Sequence, residues 1–422
     1  CSDPDYTRVP SGSCVCNRFN HHPTGCVCVN STDHDFPQNA SDHIYKASTG
    51  DGGAIRTYIT NLAQMSIINS SFTKCQCKHN GGAINADIRN GGKLTLDGLC
   101  VFTQCYADYT AGGIYVQFDN GAKSFLILED GLKFISCSAN TVNGAGGAMF
   151  ITYYDAADIS MNNILFENCY SYDGGALYIN IWATTPKVLD INCTFINCSS
   201  YYGGGLNIAG VEPGYQFQLT GSITYINCLT QRSGGGMYID IRNPGNVEYN
   251  DIVFNSCTAS NGGGLYMSSY FNCKVVLNRF RFQDCYALLA GGLNLYVGEC
   301  TQKAEIELVN TTIINCSSNN HVGGMCGQLY TNASLSIKGS CLIQDCVAVE
   351  DGGGIYLLFS NGSFEAENLL VKNCTAKHGG GMHVSLYDDG GTGILQSKCE
   401  FYQCRSNLGS GEMHIFYIFF VS

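Results

Sequence analysis

The sequence predicts an all-β chain folded as a right-handed parallel β-helix, a solenoid of about 12–13 coils with ~30-residue repeats. Three observations predict it. An aromatic or aliphatic residue followed two positions later by x-Cys recurs twelve times. A glycine-rich corner follows each cysteine, and an alternating apolar strand follows each corner.

The cysteine phrase comes first because it sets the period. It reads FTKC at 72–75, FTQC at 102–105, FISC at 134–137, FENC at 166–169, FINC at 195–198 and YINC at 225–228. It continues as FNSC at 254–257, FQDC at 282–285, IINC at 313–316, IQDC at 343–346, VKNC at 371–374 and FYQC at 401–404. Successive cysteines lie 28 to 32 residues apart. A residue of small size falls two positions after each one, so stacked coils place Phe over Phe and small over small.

The corners read GGAL at 174–177, GGGL at 203–206, GGGM at 234–237, GGGL at 262–265 and GGGI at 352–355. Paired glycines supply the positive φ and the close backbone approach that a sharp bend needs. The strand after each corner alternates with period two, which sends its aliphatic residues inward and the column between them outward. That outward ladder contains Tyr115, Phe150, Tyr178, Tyr238, Tyr266 and Tyr356, with Asn85, Asn207, Asn294, Cys326, His383 and His414 in the remaining coils. It is expected to be either a flat carbohydrate-binding or subunit-contact face, or a stack of rings and amides with no ligand. A second alternating strand precedes each Phe, as in KLTLDG at 93–98 and EIELVN at 305–310. No stretch carries a 3.6-residue apolar period, so no helix is expected.

The repeat divides the chain into residues 1–42, a Cys-rich non-repeat segment expected to act as a cap or an inter-subunit arm, and residues 43–422, the β-helix domain. The GGAI at 81–84, GGAM at 146–149 and GGAL at 174–177 resemble the repeats of the polymorphic outer-membrane proteins of chlamydiae and of surface proteins of some protists. The likeness spans about residues 50 to 415, with F-x-x-C standing where that family has F-x-x-N. It implies a surface-displayed β-helix used for adhesion or as a coat.

Composition limits the function. The chain has 34 Asp+Glu against 22 Lys+Arg, a net charge of −12 and no basic run, which disfavours nucleic acid and anionic membrane as partners. Twenty-five cysteines and N-x-S/T sequons at Asn30, Asn39, Asn69, Asn192, Asn197, Asn310, Asn315, Asn332, Asn361 and Asn373 predict a secreted, N-glycosylated, cell-surface protein. The chain reads as a mature form whose leader has been removed.

Of the cysteines outside the ladder, Cys100, Cys193, Cys341 and Cys399 each lie five residues before a ladder cysteine. Pairs within one coil are therefore candidates: Cys100 with Cys105, Cys193 with Cys198, Cys341 with Cys346, and Cys399 with Cys404. Cys273 and Cys300 fall 27 residues apart in loops and form the preferred disulfide. The ladder itself reads equally as buried free thiols or as bridges between coils. Cys14-x-Cys16 and Cys26-x-Cys28 favour disulfides over a zinc site in a secreted chain.

An enzyme is not expected. Polysaccharide-cleaving β-helices need carboxylates clustered on successive coils, whereas Asp51, Asp173 and Asp351 each precede a corner as turn residues and Asp388-Asp389 sits in a Gly-rich loop. No catalytic, metal or cofactor site is read. His383 and His414 are expected to be neighbours in the last two coils. The expected function is a non-catalytic extracellular structural glycoprotein, a filament subunit whose partner is itself, end to end. The alternative is a cell-surface adhesin, a rod that binds carbohydrate, a receptor or a host cell.

Overall fold

A computed structural model describes residues 50–418, except 120, 130, 141, 184, 211–214, 242–243, 301–302, 388–390, 397 and 409, together with two short strands, Tyr6–Arg8 and Cys14–Cys16. The described residues are all strand and turn, with no helix among them. Parallel strands stack into a β-solenoid of about 11 turns at ~30-residue spacing, against the 12–13 that the repeat count predicts. Most of residues 1–42 lie outside the described residues. The two strands there pair antiparallel, Thr7 opposite Val15.

The chain divides into two compact units, Cys1–Ala183 with Leu189–Asn207, and Thr184–Val188 with Ile208–Ser422. In the first unit the strands that follow the corners pair in register: Ile55 opposite Ile84, Ile84 opposite Ile114, Ile114 opposite Met149, and Met149 opposite Leu177. The Phe strands do the same through Phe72, Phe102, Phe134, Phe166 and Phe195. Their rings stack nearly parallel with centroids 4.6 to 5.1 Å apart. That spacing follows from the backbone, because coils separated by one strand spacing of about 4.8 Å bring like side chains into van der Waals contact.

The second unit repeats the arrangement. Met237 lies opposite Leu265, Leu265 opposite Leu293, Leu293 opposite Met325, Met325 opposite Ile355 and Ile355 opposite Met382. The aromatic column runs from Tyr225 through Phe254 to Phe282, then becomes aliphatic at Ile313, Ile343 and Val371. Each fully buried Phe contributes about 1.5–3 kcal/mol from burial, and stacking adds about 0.5–1.5 kcal/mol.

Two turns shape every coil. At the corner Gly262-Gly263-Gly264 the first glycine has φ +65°. A Cβ on Gly263 would fall 2.2 Å from the Gly291 carbonyl of the next coil, and one on Gly264 would strike the Phe282 ring at 2.5 Å. This corner therefore admits no side chain at Gly263, while a methyl group at Gly264, the place that Ala83, Ala148 and Ala176 fill in other coils, would need the Phe282 ring to shift. The other turn lies just before the ladder cysteine, where all twelve residues are left-handed. These are Lys74, Gln104, Ser136, Asn168, Asn197, Asn227, Ser256, Asp284, Asn315, Asp345, Asn373 and Gln403, with φ between 51° and 55°. Each reverses the strand so that the next residue, the cysteine, points inward.

Candidate functional site

Three groups of side chains stand out on this scaffold: the column outside the corner strands, a histidine–carboxylate cluster, and the cysteines.

The outward column is not the exposed face that alternation predicts. Tyr115, Phe150, Tyr178, Tyr238, Tyr266 and Tyr356 are each half-buried, while Asn85, Asn207, Asn294, Cys326 and His383 are buried. Ring faces are turned toward one another along the stack. Tyr115 and Phe150 are 5.3 Å apart and tilted 15°, Phe150 and Tyr178 5.1 Å and 2°, and Tyr238 and Tyr266 5.4 Å and 4°. A sugar stacking on this face would meet ring edges. Burial pushes the Tyr356 hydroxyl up to about 12 and raises Tyr115 and Tyr266.

The histidine cluster surrounds Asp351 in the second unit. His321 Nδ1 lies 3.2 Å from Asp351 Oδ2, and His383 Nδ1 lies 3.5 Å from Asp351 Oδ1. Burial acts to raise the Asp351 carboxyl, but the hydrogen bond from His321 and the nearby His383 and His378 hold it below its usual value. Hydrogen bonding to Asp351 raises His321 in turn. The His383 ring packs 5.4 Å from Tyr356 and 6.4 Å from His378. The backbone of His414 is in register with His383, as expected, and its side chain lies outside the described residues.

Other carboxylates are matched by bases. Asp251 pairs with Arg279, Glu307 with Lys274 and Lys338, and Glu350 with Lys377. Asp51 accepts a hydrogen bond from the Asn80 amide at 3.0 Å, as its turn position predicts. Asp388-Asp389 lies outside the described residues. Among the described residues no three His, Cys, Asp or Glu side chains are arranged to hold a metal ion.

No two described cysteines are joined. The pairs expected within one coil are separated by the Phe strand between them. Cys100 Sγ donates to Asp97 O at 3.2 Å and accepts from the Ser70 amide, at the turn before that strand. Cys105 Sγ reaches Phe72 O at 3.4 Å, at the turn after it. Cys341 and Cys346 repeat this division, with Sγ on Lys338 O and Ile313 O. So do Cys399 and Cys404, on Ala366 O and Val371 O. Cys193 is buried, and Cys198 Sγ reaches Phe166 O. Cys273 faces the Ser269 hydroxyl at 3.3 Å while Cys300 donates to Phe271 O and Gly298 O, and the two are neighbouring free thiols. The side chains of Cys14, Cys16, Cys26 and Cys28 lie outside the described residues.

The ladder cysteines instead touch the ladder cysteines above and below. Register sets Cys105 between Cys75 and Cys137, and Cys316 between Cys285 and Cys346, one coil apart on each side. Burial raises Cys137, Cys257 and Cys316 well above the ordinary thiol range. Sequence reasoning weighed such a buried file but had no signal for the left-handed residue that aims each thiol, since its identity varies from Lys to Asn.

Seven sequon asparagines are exposed: Asn69, Asn197, Asn310, Asn315, Asn332, Asn361 and Asn373. All seven are left-handed, with φ from 48° to 64°. Asn192 is half-buried, and Asn30 and Asn39 lie outside the described residues. Comparison with protein-family models, curated proteins and solved structures finds no match to this chain.

Proposed function

We propose that this chain is a non-catalytic extracellular structural glycoprotein, the subunit of a filament assembled head to tail. One observation carries the reading. The inner strand Ala333–Lys338 alternates between buried and half-buried residues, whereas the equivalent strand of the last described coil, Thr392–Leu395, is exposed at all four positions. It pairs with Ser363–Ala366 on one side and with no described residue on the other. Ile394 is 55% exposed there, and Tyr402 and Leu408 of the same coil are exposed as well. A strand with exposed apolar residues and an edge that no described residue pairs is a template for adding another strand.

The occupant we assign is a second copy of the chain. In the first unit, Gln64–Ile68 is the strand of the same column in the first described coil, and it pairs only with Lys93–Asp97 among the described residues. It alternates buried Met65 and Ile67 with exposed neighbours, and Ile68 and Leu62 are exposed beside it. Joining these two unlike edges is a heterologous contact, the class of interface that propagates into a filament when its rotation does not close a ring. The exposed sequon asparagines support the extracellular reading.

Electron microscopy of the native protein, with sedimentation velocity over a concentration series, tests this. Filaments that lengthen with concentration are expected. Monomers at every concentration overturn the polymer and favour a tethered adhesin. Ile394→Lys with Leu395→Lys is expected to abolish assembly and leave the folded coils intact.

A further inference from the structure

We infer that Cys374 and Cys404 are an oxidisable pair that forms a disulfide latch holding the last described coil of the second unit to the coil before it. The geometry comes from register. Lys372 lies opposite Tyr402 and Thr375 opposite Arg405, so the two cysteines face each other one strand spacing apart. That spacing, about 4.8 Å, lies within the Cα separation of roughly 4.4–6.8 Å that a disulfide spans. Both thiols occupy the same pocket of their own coil. A Cβ on Gly354 would lie 3.3 Å from Cys374 Sγ, and one on Gly381 3.1 Å from Cys404 Sγ. Each thiol reaches a backbone oxygen of its own coil and one of the coil before: Cys374 Sγ lies on Lys372 O and Ile343 O, and Cys404 Sγ on Tyr402 O and Val371 O.

Every ladder pair shares this register, and two features single out Cys374–Cys404. The first is access. Cys404 is 9% exposed, while Cys257, Cys285, Cys316, Cys346 and Cys374 are fully buried. The second is freedom to move. In-register Cβ vectors run parallel, so bond formation requires one coil to shift. An inner coil is hydrogen-bonded on both sides: Leu342–Gln344, for example, pairs with Thr312–Ile314 and with Leu370–Lys372. Glu400–Tyr402 and Arg405–Ser406 pair only with the preceding coil among the described residues. The coil of Cys75 in the first unit is also paired on one side only among the described residues, but Cys75 is 1% exposed, so access and freedom to move coincide at Cys404.

The chemistry is thiol–disulfide exchange with a small-molecule or protein disulfide as oxidant. Cys404 loses its proton and its thiolate attacks the oxidant disulfide, releasing one thiolate. Cys374 then displaces the second. Two S–H bonds break, one S–S bond forms between the coils, and the oxidant leaves as two thiols carrying both protons. Contact with Cys374 and burial both raise the Cys404 thiol, which makes this reaction slow, and full burial shields the inner thiols from the oxidant.

The latch is independent of filament formation, and a reagent oxidant separates it from where the protein resides. The full chain is incubated with oxidised glutathione, quenched by alkylation, digested and mapped by mass spectrometry. The Cys374–Cys404 linkage is expected about tenfold faster than Cys257–Cys285 or Cys316–Cys346. Oxidation is expected to slow hydrogen exchange over residues 400–406 in the native chain and not in Cys404→Ser. Cys399→Ser is expected to leave the linkage unchanged. A Cys399–Cys404 linkage, inner pairs closing first, or ladder thiols that all remain free until denaturation would each overturn the inference.

Discussion

Two coils of the second unit carry nearly the same cysteine phrase, FQDC at 282–285 and FYQC at 401–404, and have different surroundings. Phe282 is fully buried and stacks on Phe254 at 4.8 Å, with Gly264 packed against its ring. Phe401 is half-buried, and the corner beyond it reads Ser410-Gly411-Glu412 in place of three glycines. The phrase therefore specifies the course of a coil, while the coils on either side supply most of its stability. This is the energetics of a one-dimensional stack, where each repeat answers mainly to its neighbours.

The largest effect that separates the two coils is a cavity. Phe282→Ala is expected to cost about 3–5 kcal/mol, because adjacent coils held by two sets of backbone hydrogen bonds cannot collapse into the space. Phe401→Ala is expected to cost less than about 1.5 kcal/mol, since its site already meets solvent. Urea unfolding of the two variants measures both. Equal losses would mean that the last coil is packed as tightly as the inner ones.

Glycine provides the next contrast. Gly263→Ala puts a methyl group 2.2 Å from the Gly291 carbonyl, and backbone cannot move aside without separating two coils. A loss of about 2–4 kcal/mol is expected, the range of severe core substitutions. Around Gly393, in the exposed strand of the last coil, no atom lies within 4 Å of an added Cβ. Gly393→Ala is expected to stay within about 0.5 kcal/mol of the native chain.

The ladders were legible because they are written in residue type. Phe over Phe, glycine at the corner and cysteine after the turn recur at a near-constant interval, and stacking follows directly. Three features were less legible, each for a physical reason. The left-handed turn is imposed by the stack and tolerates Lys74, Ser136 and Asp345 alike, so no one residue type marks it. Alternation states which side of a strand a residue occupies, not what lies against it. Tyr238 and Tyr266 are on the outer side as expected, yet they cover each other's faces. Spacing of five residues brought Cys100 and Cys105 close in sequence, but the Phe strand holds their sulfurs at opposite turns.

That unmarked turn gives a smaller test of the same contrast. Gln104 in the first unit and Gln403 in the last coil share φ 54°. A left-handed residue with a Cβ costs about 1–2 kcal/mol, partly offset when glycine adds entropy to the unfolded chain. Gln104→Gly is expected to stabilise the inner coil by about 0.5–1 kcal/mol in urea unfolding. Gln403→Gly is expected to leave the global midpoint unchanged and to register only as slower hydrogen exchange over residues 400–406.

The smallest effect concerns charge between inner coils. His321 is raised by its hydrogen bond to Asp351, so the folded state binds the proton more tightly than the unfolded chain does. Its contribution is fully present below the unfolded value of about 6.5 and is lost as pH rises through the higher folded value. Asp351 is held low, so its contribution is present above the unfolded carboxylate value of about 3.9 and is lost as pH falls through the folded one. The two together place the plateau between those unfolded values. The His321 ring is 46% exposed, so solvent screens the pair and a few tenths of a kcal/mol is the scale expected. Stability of the native chain is expected to be higher at pH 5.5 than at pH 8.5, and His321→Ala is expected to reduce that difference. An unchanged difference would mean that other titrating groups set it. The inner coils would then be held by packing and backbone hydrogen bonds, with charge contributing nothing that distinguishes them from the last coil.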